Sequence, residues 1–269
     1  MAFSSMADIE KYMSEHNCHF YEAILHEEAR DSLTDEQSIF DKMTSMYRVM
    51  KVADSDYDEK HKSHSGLSGG NGAKMQKYAD DFSVEQKKGA LCGEFGSHVM
   101  ATAIKMAESN ACMKRIVASP TAGSCGVVPA VLINYENFYE KTDDFISDNG
   151  GKRTEKRMTE ALLVAAGIGN VIAQRASISG AAGGCQAEIG TSSAMAAGAL
   201  AYLRGGDEYI SDAAALALKN MLGLACDPVA GLVEVPCVKR NASGAMNALC
   251  AADMALAGIK SFICADEVF

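Results

Sequence analysis

The sequence predicts an all-α fold: a multi-helix domain in which glycine-rich loops meet helix N-termini. Three observations carry this. Four stretches, Glu160 to Arg175, Thr191 to Leu203, Ser211 to Leu224 and Asn241 to Ile259, are rich in alanine and apolar over much of their circumference. Helices with that pattern are buried among other helices. No convincing period-two run marks a strand. The loops between the helical stretches are built of Gly, Ser and Pro, and several feed directly into a helix start.

The chain's 269 residues and 28.5 kDa suffice for one large domain or two small ones, and 48% hydrophobic with 22% charged residues is a globular composition. A formal net charge of −10 argues against a nucleic-acid partner and fits a soluble, cytoplasmic protein. The opening MAFSSMADIEKYM is too polar for a signal peptide. The longest apolar stretch, Ala161 to Ala173, contains Gly167, Gly169 and Asn170 and is too short for a membrane span. Nine cysteines in a reducing compartment are not a disulfide framework, and no C-x-x-C pair suggests a zinc knuckle.

Taken in order, Asp8 to Glu28 spaces Ile9, Met13, Phe20, Ala23 and Ile24 as a helix does. Ser38 to Val52 repeats the pattern, with Thr34 as its expected N-cap and Gln37 three residues on. His16, His19 and His26 read as structural or solvated side chains. Residues 54–72 form a charged linker running into a Gly/Ser loop. There Ser65 to Gly70 either wraps a small polar ligand with backbone amides or is a plain surface loop. His61 and His64 flank it, as a possible base or as solvated rings. A helix follows over Phe95 to Glu108, bearing His98. Pro120, Gly123 and Gly126 then make a turn before a helix over Val127 to Tyr139, with Pro129 in its first turn. Thr121, Ser124 and the amides of that turn form a second candidate anion cradle. Residues 140–159 read as a mixed-charge connection open to proteolysis.

The run Ser177 to Ala197 organises the rest. Six small residues, Ser179 to Gly184, precede Cys185, and a helix is expected to start just after it. Such a loop admits close backbone approach, and the helix start offers free N–H groups and its positive dipole end. The arrangement is a thiolate beside an anion cradle, or else a tight turn carrying a core cysteine. The last loop, Cys226 to Ala248, holds Cys226 and Cys237 around Pro228, Gly231 and Pro236, followed at once by Lys239, Arg240 and Asn241. The other six, Cys18, Cys92, Cys112, Cys125, Cys250 and Cys264, lack that setting, although Cys125 sits in a candidate loop and Cys18, Cys112 and Cys250 fall on expected helices.

The segments SPTAGSCGVVPAV, SISGAAGGCQAEIG, NMLGLACDPVAGLVEVPCVKRNA and AADMALAGI resemble the α chain of the iron–sulfur-dependent bacterial L-serine dehydratases, and SGLSGG resembles that family's early glycine loop. The resemblance covers nearly the whole chain. It implies a single helical catalytic domain over 1–269, with peripheral helices in 1–60 and the core in 61–269. It implies that Cys185, Cys226 and Cys237 hold a [4Fe–4S] cluster with one iron free of protein ligands, which acts as a Lewis acid on L-serine. The products are then pyruvate and ammonia, and no pyridoxal phosphate is implied. Ser65, Thr121, Ser124 and Asn241 become candidate contacts to the substrate or the cluster's surroundings.

Family enzymes pair this domain with a β domain, so the chain reads as the α half of a hetero-oligomer. Its end at Asp266-Glu267-Val268-Phe269 is early for the family pattern. The catalytic base is expected on the β chain, with His61 and His64 as weaker alternatives. Two other readings remain: an L-cysteine desulfidase, eliminating sulfide by the same open iron, and a non-catalytic iron–sulfur or regulatory subunit.

Overall fold

The Ser5 hydroxyl accepts the amide of Asp8 at 3.0 Å and starts α1 (Met6–His16), which ends at Asn17 with φ 49°. Asparagine tolerates this left-handed geometry, so the chain turns there and the single stretch expected over 8–28 becomes two helices. α2 (Phe20–Asp31) is capped from far away: Asp207 accepts the amide of Phe20 at 3.1 Å and pairs with His19 at 2.7 Å. α3 (Glu36–Ser55) is capped by Asp35, not Thr34. The Asp35 carboxylate takes both the amide and the hydroxyl of Ser38, at 2.9 and 2.6 Å, and suits the helix dipole better than a hydroxyl.

The structure is a computed structural model and describes residues 3–83, 89–140 and 150–269. α4 (Asn71–Ser83) was not expected from the sequence, because its cap is the side chain of Glu108 on α5 (Gly93–Ala111), a partner no local pattern reveals. α6 (Val127–Tyr135) carries Pro129 in its first turn as expected and continues as a π-turn, Glu136–Glu140. Tyr47 and Lys51 hold Glu136 in that turn, at 2.5 and 2.9 Å.

α7 (Gly150–Arg175) begins ten residues before the expected Glu160. Its first turns are secured by the pairs Arg48–Glu155 and Arg157–Glu140, so 150–159 is helix rather than connection. Residues 141–149 of that expected connection lie outside the described residues.

α8 (Gly180–Gly205) is the central element, packed against α6, α7, α9 (Ile210–Asn220) and α10 (Cys237–Leu256). From Ile189 to Ala201 its residues are buried in an unbroken run, most of them small. A Cβ at Gly198 would stand 2.2 Å from Ile168 Cδ1 on α7, so the two helices approach too closely for any side chain there. Ile9 from α1, Phe20 from α2, and Tyr47 and Met50 from α3 complete the same core. α11 (Ala265–Val268) returns to the N-terminus, where Asp266 accepts the amides of Met6 and Ala7. Among the described residues there is no strand, and no helix is long and apolar enough to cross a membrane.

Candidate functional site

The site begins at a break in α8. Residues 180–183 form a helical turn rather than the expected loop, Gly184 then departs to φ 78°, ψ 178°, and the helix resumes at Cys185. That conformation is open essentially to glycine alone. The bare Cα also lets another segment lie against it: a Cβ there would meet the Leu224 carbonyl at 3.1 Å and the Cys226 amide at 3.6 Å. Two hydrogen bonds fasten the contact, Gln186 N–H to the Leu224 carbonyl at 2.9 Å and Gly223 N–H to Gln186 Oε1 at 2.6 Å. Cys226 is thereby delivered to Cys185.

Cys237 arrives as the first residue of α10, after Pro236. Two helix N-termini, each with its positive dipole end, therefore present buried thiols to one place, with Cys226 exposed beside them. Arg240 lies one turn along α10. Its Nη1 donates to Cys185 Sγ and to the Ala225 carbonyl, both at 2.9 Å, and pairs with Asp227 at 2.7 Å. Cys185, Cys226 and Cys237 are close enough to influence one another electrostatically. Burial pushes the Cys185 thiol up, against the pull of Arg240 and with a push from Cys226. Burial, then Cys185, pushes Cys237 up to about 11. Metal binding would have to displace those protons, which is ordinary for thiolate sites.

The donor set fits an iron–sulfur cluster: three free thiols from three segments, no disulfide competing for them, and an N–H donor on one sulfur. Among the described residues no three such side chains are spaced to hold a single metal ion. A cluster spreads its irons and so asks for thiolates further apart. The remaining cysteines stand elsewhere. Cys125 is fully buried, its Sγ 3.7 Å from the Met106 carbonyl, and burial pushes it up to about 12. Cys250 lies on α10, Cys112 caps the end of α5, and Cys18 sits between α1 and α2 rather than on a helix.

The Gly/Ser loop reaches this site through Glu234, three residues before Cys237. Ser63 donates to the buried Glu234 carboxylate at 2.6 Å, and Ser65 donates at 2.9 and 3.0 Å. Burial pushes that carboxyl up, but the serine hydrogen bonds outweigh it and hold it below the usual range. His61 and His64 ride on the same loop with exposed rings. From Gly66 on, the amides of the expected 65–70 wrap are already used: Gly66 N–H donates to the Ser63 carbonyl, Leu67 N–H to Ser65 Oγ, Ser68 N–H to Ser63 Oγ and Gly70 N–H to the Tyr57 hydroxyl. Gly69, Asn71 and Gly72 donate their N–H groups, and Tyr57 its hydroxyl, to the buried carboxylate of Glu108 at 2.6 to 3.1 Å.

The second expected cradle is likewise occupied from within. Gly126 N–H donates to Asn241 Oδ1 at 2.9 Å, while Asn241 Nδ2 donates to the carbonyls of Gly123 and Cys237 at 2.8 and 3.0 Å. Asn241 is fully buried, and its amide pins the 119–126 loop to the start of α10. Thr121 and Ser124 hydroxyls lie 3.0 Å apart, and Thr121 donates to Glu188. The sequence reading missed Glu108, Glu188 and Glu234. Only Glu188 carried a local signal: it follows Cys185 by three residues, on the same helical face.

The fold and site define an all-helical protein whose loops gather three unpaired thiols at the N-termini of two packed helices. The chain belongs to the serine dehydratase alpha chain family, whose model matches residues 15–269. It is 47% identical over 233 residues to the probable L-serine dehydratase, alpha chain, of Bacillus subtilis, covering 86% of this chain and 72% of that one. To the L-serine dehydratase, alpha chain, of Peptoniphilus asaccharolyticus it is 38% identical over 257 residues, 95% of this chain and 82% of that one. L-serine dehydratase 1 of Escherichia coli is 44% identical over 155 residues, which are 57% of this chain and 32% of that longer protein.

Proposed function

We propose that the chain is the α subunit of an L-serine ammonia-lyase, with Cys185, Cys226 and Cys237 as ligands of a [4Fe–4S] cluster. The observation that carries the reading is the meeting of these three thiols from separate loops in a chain of this family. Bound there, the cluster supplies a Lewis-acidic iron that makes the β-hydroxyl of serine a better leaving group. The chain's own groups do the rest. Arg240 holds Cys185 in place and offsets negative charge among the thiolates. Asn241 and Gly184 fix the spacing of the loops that carry them. Ser65 and Thr121, whose hydroxyls bond to Glu234 and Glu188 on the segments that carry the thiols, and Ser124 beside Thr121 are the substrate contacts of this reading. Loss of the α-proton and of water gives aminoacrylate, whose imine tautomer hydrolyses to pyruvate and ammonia.

A β chain completes the enzyme and supplies the proton acceptor, with His61 and His64 as the alternatives on this chain. The alpha-chain names of the relatives support such a partner. The net charge of −10 and the nine free cysteines support a cytoplasmic setting. Anaerobically reconstituted protein, with the β chain added, is expected to release pyruvate from L-serine in preference to L-cysteine. A fully loaded enzyme that releases none from L-serine contradicts the reading, and preferential release from L-cysteine replaces it with the desulfidase.

A further inference from the structure

The carboxylates around the thiols differ in how their charge is met. Asp227 pairs with Arg240, and Glu234 is held by the hydroxyls of Ser63 and Ser65. Glu188 receives one hydrogen, from Thr121 on Oε1; among the described residues no cation reaches it and its Oε2 accepts no hydrogen bond. Oε2 of this half-buried side chain is therefore the carboxylate oxygen left free for a ligand. Two glycines let the backbone pack closely on it: a Cβ at Gly123 would stand 2.6 Å from Oε1 and 2.9 Å from Oε2, and one at Gly180 2.8 Å from Oε2, so a side chain at either position would displace the carboxylate. The carboxylate lies one turn beyond Cys185 on the same face of α8, and Cys237 feels its charge.

We propose that Glu188 is the substrate's ammonium acceptor, the residue that makes this site bind α-amino acids more tightly than the matching hydroxy acids. This rests on the dehydratase reading above, which brings an amino acid to the thiols. An α-ammonium has three N–H donors and a full positive charge, so it satisfies Oε2 and neutralises the carboxylate together. Thr121 fixes the rotamer through Oε1 and leaves the other oxygen to the ligand. A charge-assisted pair in this setting discriminates by roughly 10- to 100-fold in affinity.

The test uses the anaerobically reconstituted enzyme with its β chain and two probes, L-serine and glycerate, in which a hydroxyl replaces the ammonium. The readout is the ligand concentration that half-protects the cluster's visible absorbance against bleaching in air. Glu188→Gln is expected to carry the wild-type iron content and to raise the half-protecting concentration of L-serine by about 10- to 100-fold, leaving that of glycerate unchanged. Glu188→Asp, which keeps the charge, should fall between. The proposal is overturned if Glu188→Gln binds L-serine as the wild type does, or if both probes weaken together, as loss of a purely positioning residue requires. If Glu188→Gln does not retain iron, Glu188→Asp decides by the same two probes: a loss confined to L-serine supports the proposal, and an equal loss of both overturns it. A loaded wild type that makes no pyruvate from L-serine overturns the dehydratase reading itself, whereas normal turnover with an unaffected Glu188→Gln overturns only the role of Glu188.

Discussion

At Gly184 a hydrogen in place of a side chain decides where two thiols meet. Its φ of 78° and the Leu224 carbonyl, 3.1 Å from where a Cβ would lie, both oppose substitution. Gly184→Ala is expected to cost about 1–3 kcal/mol in a denaturant titration and to lower iron retention, because the strain falls on the segment that carries Cys226. Unchanged stability and full iron would show that the kink is not needed. Asn241 makes a comparable case with hydrogen bonds. Asn241→Leu leaves the Gly126 amide and the Gly123 carbonyl buried without a partner, and should cost about 2–4 kcal/mol in the same assay. At this scale the sequence showed the thiols and the glycines, since both stand out in short motifs. It named Asn241 as a contact to the substrate or to the cluster's surroundings; the structure adds that its amide bridges two loops, which no short motif reveals.

Among the elements, α4 owes its start to α5. Glu108 on α5 accepts the amides of Asn71 and Gly72 and so caps a helix far from it in sequence. Burial pushes the Glu108 carboxyl up, but Tyr57 and the loop amides outweigh this and hold it below its ordinary 4.5. A carboxylate with a lowered folded value stabilises the protein fully above pH 4.5 and loses that contribution as pH falls through the lower folded value. Wild-type stability should therefore fall more steeply with acidification below pH 4.5 than that of Glu108→Gln. At neutral pH the variant should be less stable by roughly 1–3 kcal/mol. Parallel pH profiles for the two proteins would remove Glu108 from this role.

The same element explains what the sequence hid. The alanine-rich helices were legible because burial all round writes itself into composition. The start of α7 and the whole of α4 were not, because polar helices held by distant partners such as Arg48, Glu140 and Glu108 carry no periodic apolar face. The break at Asn17 was likewise hidden inside an apolar spacing that continues across it.

Across the whole molecule, three loops distant in sequence are locked to one another by the protein's own groups. Glu234 ties the Gly/Ser loop to the Cys226–Cys237 loop, Asn241 ties the 119–126 loop to α10, and Gln186 ties α8 to the segment before Cys226. The Gly/Ser loop and the 119–126 cradle are joints of this assembly, since Glu108 takes the Gly69 amide and Asn241 the Gly126 amide. What the joints hold in common is the meeting of Cys185, Cys226 and Cys237, and that is the central claim. It is tested most directly by iron and sulfide content, with visible absorbance, of the anaerobically reconstituted wild type and its single cysteine variants. Cys185→Ala, Cys226→Ala and Cys237→Ala should each lose the cluster together with pyruvate formation, while Cys125→Ala, whose thiol is packed in the core, should keep both. The account is contradicted if Cys226→Ala retains the wild-type iron and turns over, or if Cys125→Ala is the variant that empties the site.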